Sequence, residues 1–205
     1  MPRRKYDAFI NRLLGSSIFS FRMVAFICGE NYAKQLIYRL KKKGLIVELV
    51  KGVYSPKKSP YMIVKAIPLS YVGLGSAAFL HGALSQVPVL TILTPLASKI
   101  VRPGLRIIAG QKVIVRKISQ EMYFGYDYIY VEEINELVRV SDPEKTLIDA
   151  AYFGYPLLSE MLPGLLEIVD RNKLYSYLDE MKNKKVKGWR KTRERIEEIL
   201  ENYNF

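Results

Sequence analysis

Within Glu30-Asn-Tyr-Ala-Lys-Gln-Leu-Ile-Tyr-Arg-Leu-Lys-Lys-Lys-Gly-Leu-Ile-Val-Glu-Leu-Val-Lys-Gly-Val-Tyr54 the hydrophobic period switches from that of a helix to that of a strand. Ala33, Leu36, Ile37 and Leu40 recur at i, i+3, i+4 and i+7, the stripe of an amphipathic helix, and predict a helix over Glu30 to Lys43. Lys41, Lys42 and Lys43 place cations in its last turn, where the helix dipole favours them, and Gly44 follows as a C-cap. Leu45 to Val50 and Val53-Tyr54 then flank Lys51-Gly52, which reads as a β-hairpin. With the apolar stripe turned inward, the helix presents Asn31, Lys34, Gln35, Tyr38 and Lys42 outward, and Lys51 sits at the hairpin tip.

Two shorter helical patterns precede this stretch. Phe9, Ile10, Leu13 and Leu14 mark one face of a helix over Tyr6 to Leu14, ended by Gly15-Ser16-Ser17. A short extended piece, Ile18 to Ser20, leads into a second helix over Phe21 to Cys28, stopped near Gly29. Three helices and a hairpin are the element order of a winged helix-turn-helix. Amide and cationic side chains on an exposed helix face are what base edges and flanking phosphates require, and a lysine on the hairpin suits a wing that touches the backbone. The charge agrees: residues 1–60 hold 13 Lys/Arg against 3 Asp/Glu, a net +10, while the rest of the chain holds 19 against 17, a net +2. This asymmetry points to double-stranded DNA or another polyanion as the partner of the N-terminal end. A non-DNA interaction module, binding RNA or protein, is the competing reading of the same basic face.

Ser55-Pro-Lys-Lys-Ser-Pro60 has the composition of a linker, so the chain is read as two domains, 1–58 and 59–205. Beyond it, Ala66 to Ser98 carries no Asp, Glu, Lys or Arg. Pro68, Gly73, Gly75, Gly82, Pro88 and Pro95 interrupt that run, so it reads as buried core and not as a membrane span. It predicts a helix over Ser76 to Leu84 and a strand over Val89 to Leu93. Further strands are expected at Leu105 to Ile108, Lys112 to Arg116, Tyr126 to Val131 and Leu137 to Val140. In Ser141-Asp-Pro-Glu-Lys-Thr-Leu-Ile-Asp-Ala150, Ser141 and Glu144 match a capping box, with Pro143 in the first turn. Leu157 to Asn202 reads as helices punctuated by Pro163 and Gly188. The fold class is therefore α+β: an N-terminal winged helix-turn-helix and a C-terminal mixed α/β domain.

Little here points to catalysis. Cys28 and His81 are single, so neither a disulfide nor a Cys/His zinc site can form within the chain. Cys28 lies in an apolar run and reads as an inert buried thiol, and His81 as a satisfied structural histidine. Asp142, Glu144, Lys145 and Asp149 offer a metal-dependent nuclease as an alternative, but capping accounts for the first two. No cofactor, metal or membrane is expected. No secretory segment follows the basic start Pro2 to Lys5, so the chain reads as cytoplasmic. A second basic run, Lys182, Lys184, Lys185, Lys187, Arg190, Lys191, Arg193 and Arg195, reads either as a solvated helix face or as a phosphate-contacting one.

Four stretches together resemble the AbiEi-type antitoxin/transcriptional regulators of type IV toxin–antitoxin systems from abortive-infection loci. They are Leu40 to Ile46 leading into Lys51-Gly-Val-Tyr54; Ser76-Ala-Ala-Phe-Leu-His-Gly82; Val89 to Pro95; and Ser141 to Phe153, which is similar to the family's Pro-Glu-Lys-Thr-Leu-x-Asp motif through Pro143, Glu144, Lys145, Thr146 and Asp149. The resemblance spans about residues 30–155, in order, and the last stretch is the specific one. It implies a winged helix that represses its own promoter at inverted repeats, with two copies on paired half-sites. It also implies a C-terminal domain needed for antitoxicity and repression, and a nucleotidyltransferase-type toxin countered without a stable complex.

Overall fold

The apolar stripe of residues 30–42 closes onto the two helices before it. The structure, a computed structural model, describes residues 6–86 and 89–203, so the basic start Pro2 to Lys5 and the interrupting Pro88 lie outside the described residues. Helices α1 (Asp7–Leu14), α2 (Phe21–Cys28) and α3 (Glu30–Lys42) surround a cluster of Leu13, Val24, Ala33, Leu36, Ile37 and Leu40, completed by Phe19 and Tyr54. Full burial of each large aliphatic side chain contributes about 1.5–3 kcal/mol, which outweighs the weak helicity of such short segments. Ser20 caps α2 by accepting from the Met23 N–H at 3.2 Å. Cys28 is half-buried and not a core residue as expected; its thiol donates to the Val24 carbonyl at 3.0 Å, and burial raises its pKa.

Strands β1 (Phe19–Ser20), β2 (Val47–Val50) and β3 (Val53–Ser55) form a three-stranded antiparallel sheet in the order β1-β3-β2. Val50 faces Val53 across Lys51-Gly52, and Gly52 takes φ +76°, a left-handed conformation that costs glycine least. The chain then passes a 3₁₀ turn and α4 (Ile63–Ala66) into a six-stranded mixed sheet. Its strands are β4 (Tyr71–Val72), β5 (Leu90–Thr94), β6 (Gly104–Ile108), β7 (Gln111–Lys117), β8 (Tyr126–Val131) and β9 (Glu136–Ser141), in the order β6-β7-β5-β4-β9-β8. Pairs β5–β7 and β4–β9 are parallel and the others antiparallel.

The sheet has a core on each face. Tyr71 and Leu93 join one cluster with α6 (Pro143–Phe153), α7 (Leu158–Leu166), α8 (Arg171–Asn183) and α9 (Trp189–Asn202). Their neighbours Val72 and Ile92 point the other way, into a cluster that takes in Met62, Ile63 and Val64 and also Leu49 and Val50 of the small sheet. The N-terminal unit and the C-terminal helices thus lie against opposite faces of the large sheet. Ser55 to Pro60, read as a linker from composition, is anchored: the Ser55 hydroxyl donates to the Ser17 carbonyl at 2.8 Å, and Lys57 donates to the Ile134 carbonyl at 2.6 Å. Glu136 accepts from the Ser17 hydroxyl at 2.6 Å and pairs with both Lys57 and Lys65.

Three sequence expectations shift. Helix α5 spans Gly75–Leu80, not Ser76 to Leu84, because Gly82 turns to φ +77° just beyond it. The cap of α6 is Asp142 and not Ser141: its carboxylate accepts from the Lys145 N–H at 2.8 Å, while Ser141 ends β9 and its hydroxyl meets Thr146 Oγ1 at 2.7 Å. Glu144 reaches forward to accept from the Asp170 N–H at 2.7 Å, so the expected capping box is absent. Pro163 does not end a helix but sits inside α7, whose Met161, Leu162, Leu165 and Leu166 are buried and hold the turn despite the missing N–H. Among the described residues no helix is long and apolar enough to cross a membrane.

Candidate nucleic-acid interface

Gly29 precedes helix α3 as its N-cap, and its φ of +81° turns the chain sharply from α2. Ala33, Leu36, Ile37 and Leu40 are buried, and Asn31, Lys34, Gln35, Tyr38 and Lys42 are exposed, each as its spacing requires. Tyr38 keeps 65% of its surface open to solvent. Lys34 pairs with Glu30 at 2.7 Å, and this contact holds the Glu30 carboxyl below its ordinary range. The Gln35 carboxamide oxygen accepts from Arg39 at 2.9 Å. Exposed pairs of this kind exchange readily for a ligand's groups.

The helix and the hairpin enclose a hollow of about 610 Å³ lined by Phe21, Lys34, Ile37, Tyr38, Lys41, Lys42 and Tyr54. A second hollow, about 590 Å³, lies on the hairpin side and includes Ser20, Arg22, Glu48 and Lys51, sharing Phe21 and Tyr54 with the first. Lys34, Tyr38 and Lys42 therefore border the first hollow and Lys51 the second, with Phe21 and Tyr54 common to both, whereas Asn31 and Gln35 lie outside these two linings. Glu48 links the two: it pairs with Lys41 at 2.6 Å and accepts from the Gly52 N–H at 3.1 Å, which fixes the turn that carries Lys51. The bond to Glu48 raises the Lys41 pKa against the opposing effect of burial.

Sequence reasoning passed over Phe21, Arg22, Lys41 and Tyr54. Lys41 was assigned to the helix dipole, although the spacing 34, 38, 41 and 42 already aligns it with the outward face. Nothing local marks Tyr54 or Phe21, since their approach depends on how the hairpin folds back. Cations interleaved with aromatic rings in adjoining hollows can position a sugar–phosphate backbone, while the outer helix face stays free to meet base edges.

The motif residues behave differently. Glu144, Lys145, Thr146 and Asp149 are buried, and Pro143 is half-buried. The Lys145 ammonium pairs with Asp149 and lies 4.9 Å from the centre of the Phe124 ring and 5.6 Å from that of Tyr71. The Tyr71 hydroxyl donates to Asp149 at 2.9 Å. Asp142 accepts from the Tyr177 hydroxyl at 2.7 Å and pairs with Lys173 at 3.1 Å, which also pairs with Glu144 at 3.0 Å. Each carboxylate of the motif is thus engaged by a partner from the protein. Among the described residues no group of three or more His, Cys, Asp or Glu side chains is placed to hold a metal. His81 Nε2 lies 2.7 Å from the Ser141 carbonyl, a bond that fastens the end of α5 to the end of β9.

Set against known proteins, the chain matches no family model. No curated protein matches it either. Its fold is shared. The RV2827C protein of Mycobacterium tuberculosis, known from a crystal structure, superposes with a TM-score of 0.60 at 15% identity, over 96% of this chain and 76% of that one. At that identity the likeness is one of fold: N-terminal helices with a small antiparallel sheet, then a six-stranded mixed sheet and C-terminal helices.

Proposed function

We propose that this chain is a DNA-binding transcriptional regulator in which α1 to α3 and the β2–β3 hairpin act as a winged helix-turn-helix. One observation carries the reading: Lys34, Tyr38, Lys41 and Lys42 of α3 line a hollow with Tyr54 of the hairpin, and Lys51 of the same hairpin lines the adjoining one, in the segment holding a net charge of +10. On this reading α3 lies in the major groove, Asn31, Lys34 and Gln35 meet base edges, and Lys42 and Lys51 hold phosphates. The resemblance of Pro143 to Asp149 to the AbiEi-type motif extends the proposal to an autorepressing antitoxin. Two copies would occupy inverted repeats in the gene's own promoter, and a nucleotidyltransferase-type toxin would be countered without a stable complex. The motif's buried position supports a framework role for it in the C-terminal layer.

The test uses the full chain and the double variant Lys34→Ala/Gln35→Ala. In a gel-shift titration the variant loses selectivity for the DNA upstream of its own gene over scrambled DNA, each lost base contact costing about 1–3 kcal/mol of discrimination. Unchanged affinity and unchanged preference would exclude this face as the reader. For the antitoxin part, growth is followed while the chain is expressed with a nucleotidyltransferase-type protein encoded beside it; continued growth arrest restricts the proposal to regulation.

A further inference from the structure

The junction between α8 and α9 has a charge pattern unlike the rest of the C-terminal layer. Residues 182–193 contain seven Lys/Arg and no Asp/Glu, and the first acid after them is Glu194. Two of the seven cations are engaged: Lys184 pairs with Glu180 at 2.5 Å, and Arg193 with Asp179 at 3.0 Å and Glu197 at 2.8 Å. Lys182, Lys185, Lys187, Arg190 and Lys191 are exposed, and none has a carboxylate within ion-pair distance among the described residues. Lys182 and Arg190 both lie over the Trp189 ring, 5.9 and 5.5 Å from its centre. Lys187 and Lys191 border a hollow of about 420 Å³ with Tyr152, Thr192 and Arg195. Arg195 is fixed there by donating to the Ala151 carbonyl at 2.7 Å.

A solvated helix face alternates its charges, as α9 does further on with Arg193, Glu194, Arg195 and Glu197. Five unpaired cations around one turn instead repel each other and gather counterions, which a row of phosphates releases on binding. The surface is wider than one phosphate needs, because it runs from the end of α8 across the turn to the second turn of α9. It also belongs to the helical layer on the face of the sheet away from α3, so it does not extend the reading surface.

We infer that the α8–α9 junction is a second contact for the phosphate backbone of double-stranded DNA, independent of base sequence. It shares its partner with the regulator reading but rests on different residues. The test measures affinity against salt for the full chain on two duplexes, one of random sequence and one from upstream of its own gene. Lys185→Gln/Lys187→Gln/Lys191→Gln is compared with the same three positions changed to Arg. The expected result is a shallower slope of log affinity against log salt on both duplexes, by about 0.9 per contact and so about 2–3 for three, with sequence preference unchanged and the Arg variant like wild type. An unchanged slope overturns the inference, as does loss of preference without loss of slope. Binding that moves instead to vesicles of anionic phospholipid, with the duplex slope intact, overturns it too. If the wild type shows no preference for its own promoter, the regulator reading fails, while a slope lost on random duplex still upholds this contact. Lys187→Gln and Lys191→Gln, each expected to remove one contact, carry the test should the triple variant lose its fold.

Discussion

Lys145 spends its charge inside the protein. Taking an ammonium and a carboxylate out of water costs several kcal/mol per ion, and here the pairing with Asp149, the Tyr71 hydroxyl and two aromatic rings offset that cost. Burial pushes the Lys145 pKa down and that of Asp149 up, and the attraction between them opposes both shifts. Gly125 makes room for the lysine stem, since a Cβ there would lie 2.9 Å from Lys145 Cβ. Lys145→Met should destabilise the chain by about 3–5 kcal/mol, because it leaves Asp149 buried without a counter-charge. Lys145→Met/Asp149→Leu should recover most of the loss in urea unfolding. A double variant as unstable as the single one would mean that the pair is not what makes the site costly to break.

The helices of the C-terminal layer are placed by close approach more than by their own propensity. Gly164 of α7 meets the backbone of Ala83, and a Cβ added to it would come within 2.7 Å of Ala83 Cα. That contact lets a helix with an internal proline, Pro163, seat Met161, Leu162 and Leu165 in the core. Gly164→Ala should push α7 away from the segment after α5 and cost about 1–3 kcal/mol, the usual price of overpacking, read as a lowered melting temperature. A melting temperature equal to wild type would show that Ala83 can yield. Across the molecule, α3 is the opposite case. Its 13 residues carry a clean apolar stripe, so its boundaries and exposed face follow from the residues themselves.

At the scale of the whole molecule, Glu136 fastens the N-terminal unit to the large sheet. Burial opposes its charge, yet hydrogen bonds from Lys57, Lys65 and Ser17 bring its pKa from 4.5 down to about 2. A carboxylate with a depressed pKa contributes stability that is complete above its unfolded value and is lost as pH falls through its folded value. The anchoring should therefore hold above about pH 4.5 and weaken progressively toward pH 2. Hydrogen exchange of residues 55–67, compared at pH 6 and pH 3, should show the segment loosening at the lower pH before the central strands do. Glu136→Gln should show the looser pattern at both values. Equal protection of the segment at both pH values in the wild type would remove Glu136 as the fastening.

Local order was written in the chain wherever neighbours in sequence carry the information. The stripe Ala33 to Leu40 set α3, Lys51-Gly52 set the first hairpin, and Gly188 set the start of α9, because helix periods and left-handed turns depend on nearby residues alone. The outward face of α3 was legible for the same reason. What lay beyond reach needed partners far along the chain. Strand β4 has only two residues and exists because β5 and β9 flank it. Ser141 and Asp142 are equally able to cap a helix, and the tie went to Asp142 because β9 holds Ser141 in the sheet beside Val72, with its hydroxyl turned to Thr146 of α6. Tyr54 and Phe21 reach the candidate interface only when the hairpin packs back on α2 and α3, and the burial of Lys145 follows only once Tyr71, Phe124 and Asp149 close around it. Such positions are decided by packing between distant segments, whose free energy no short stretch of residues contains.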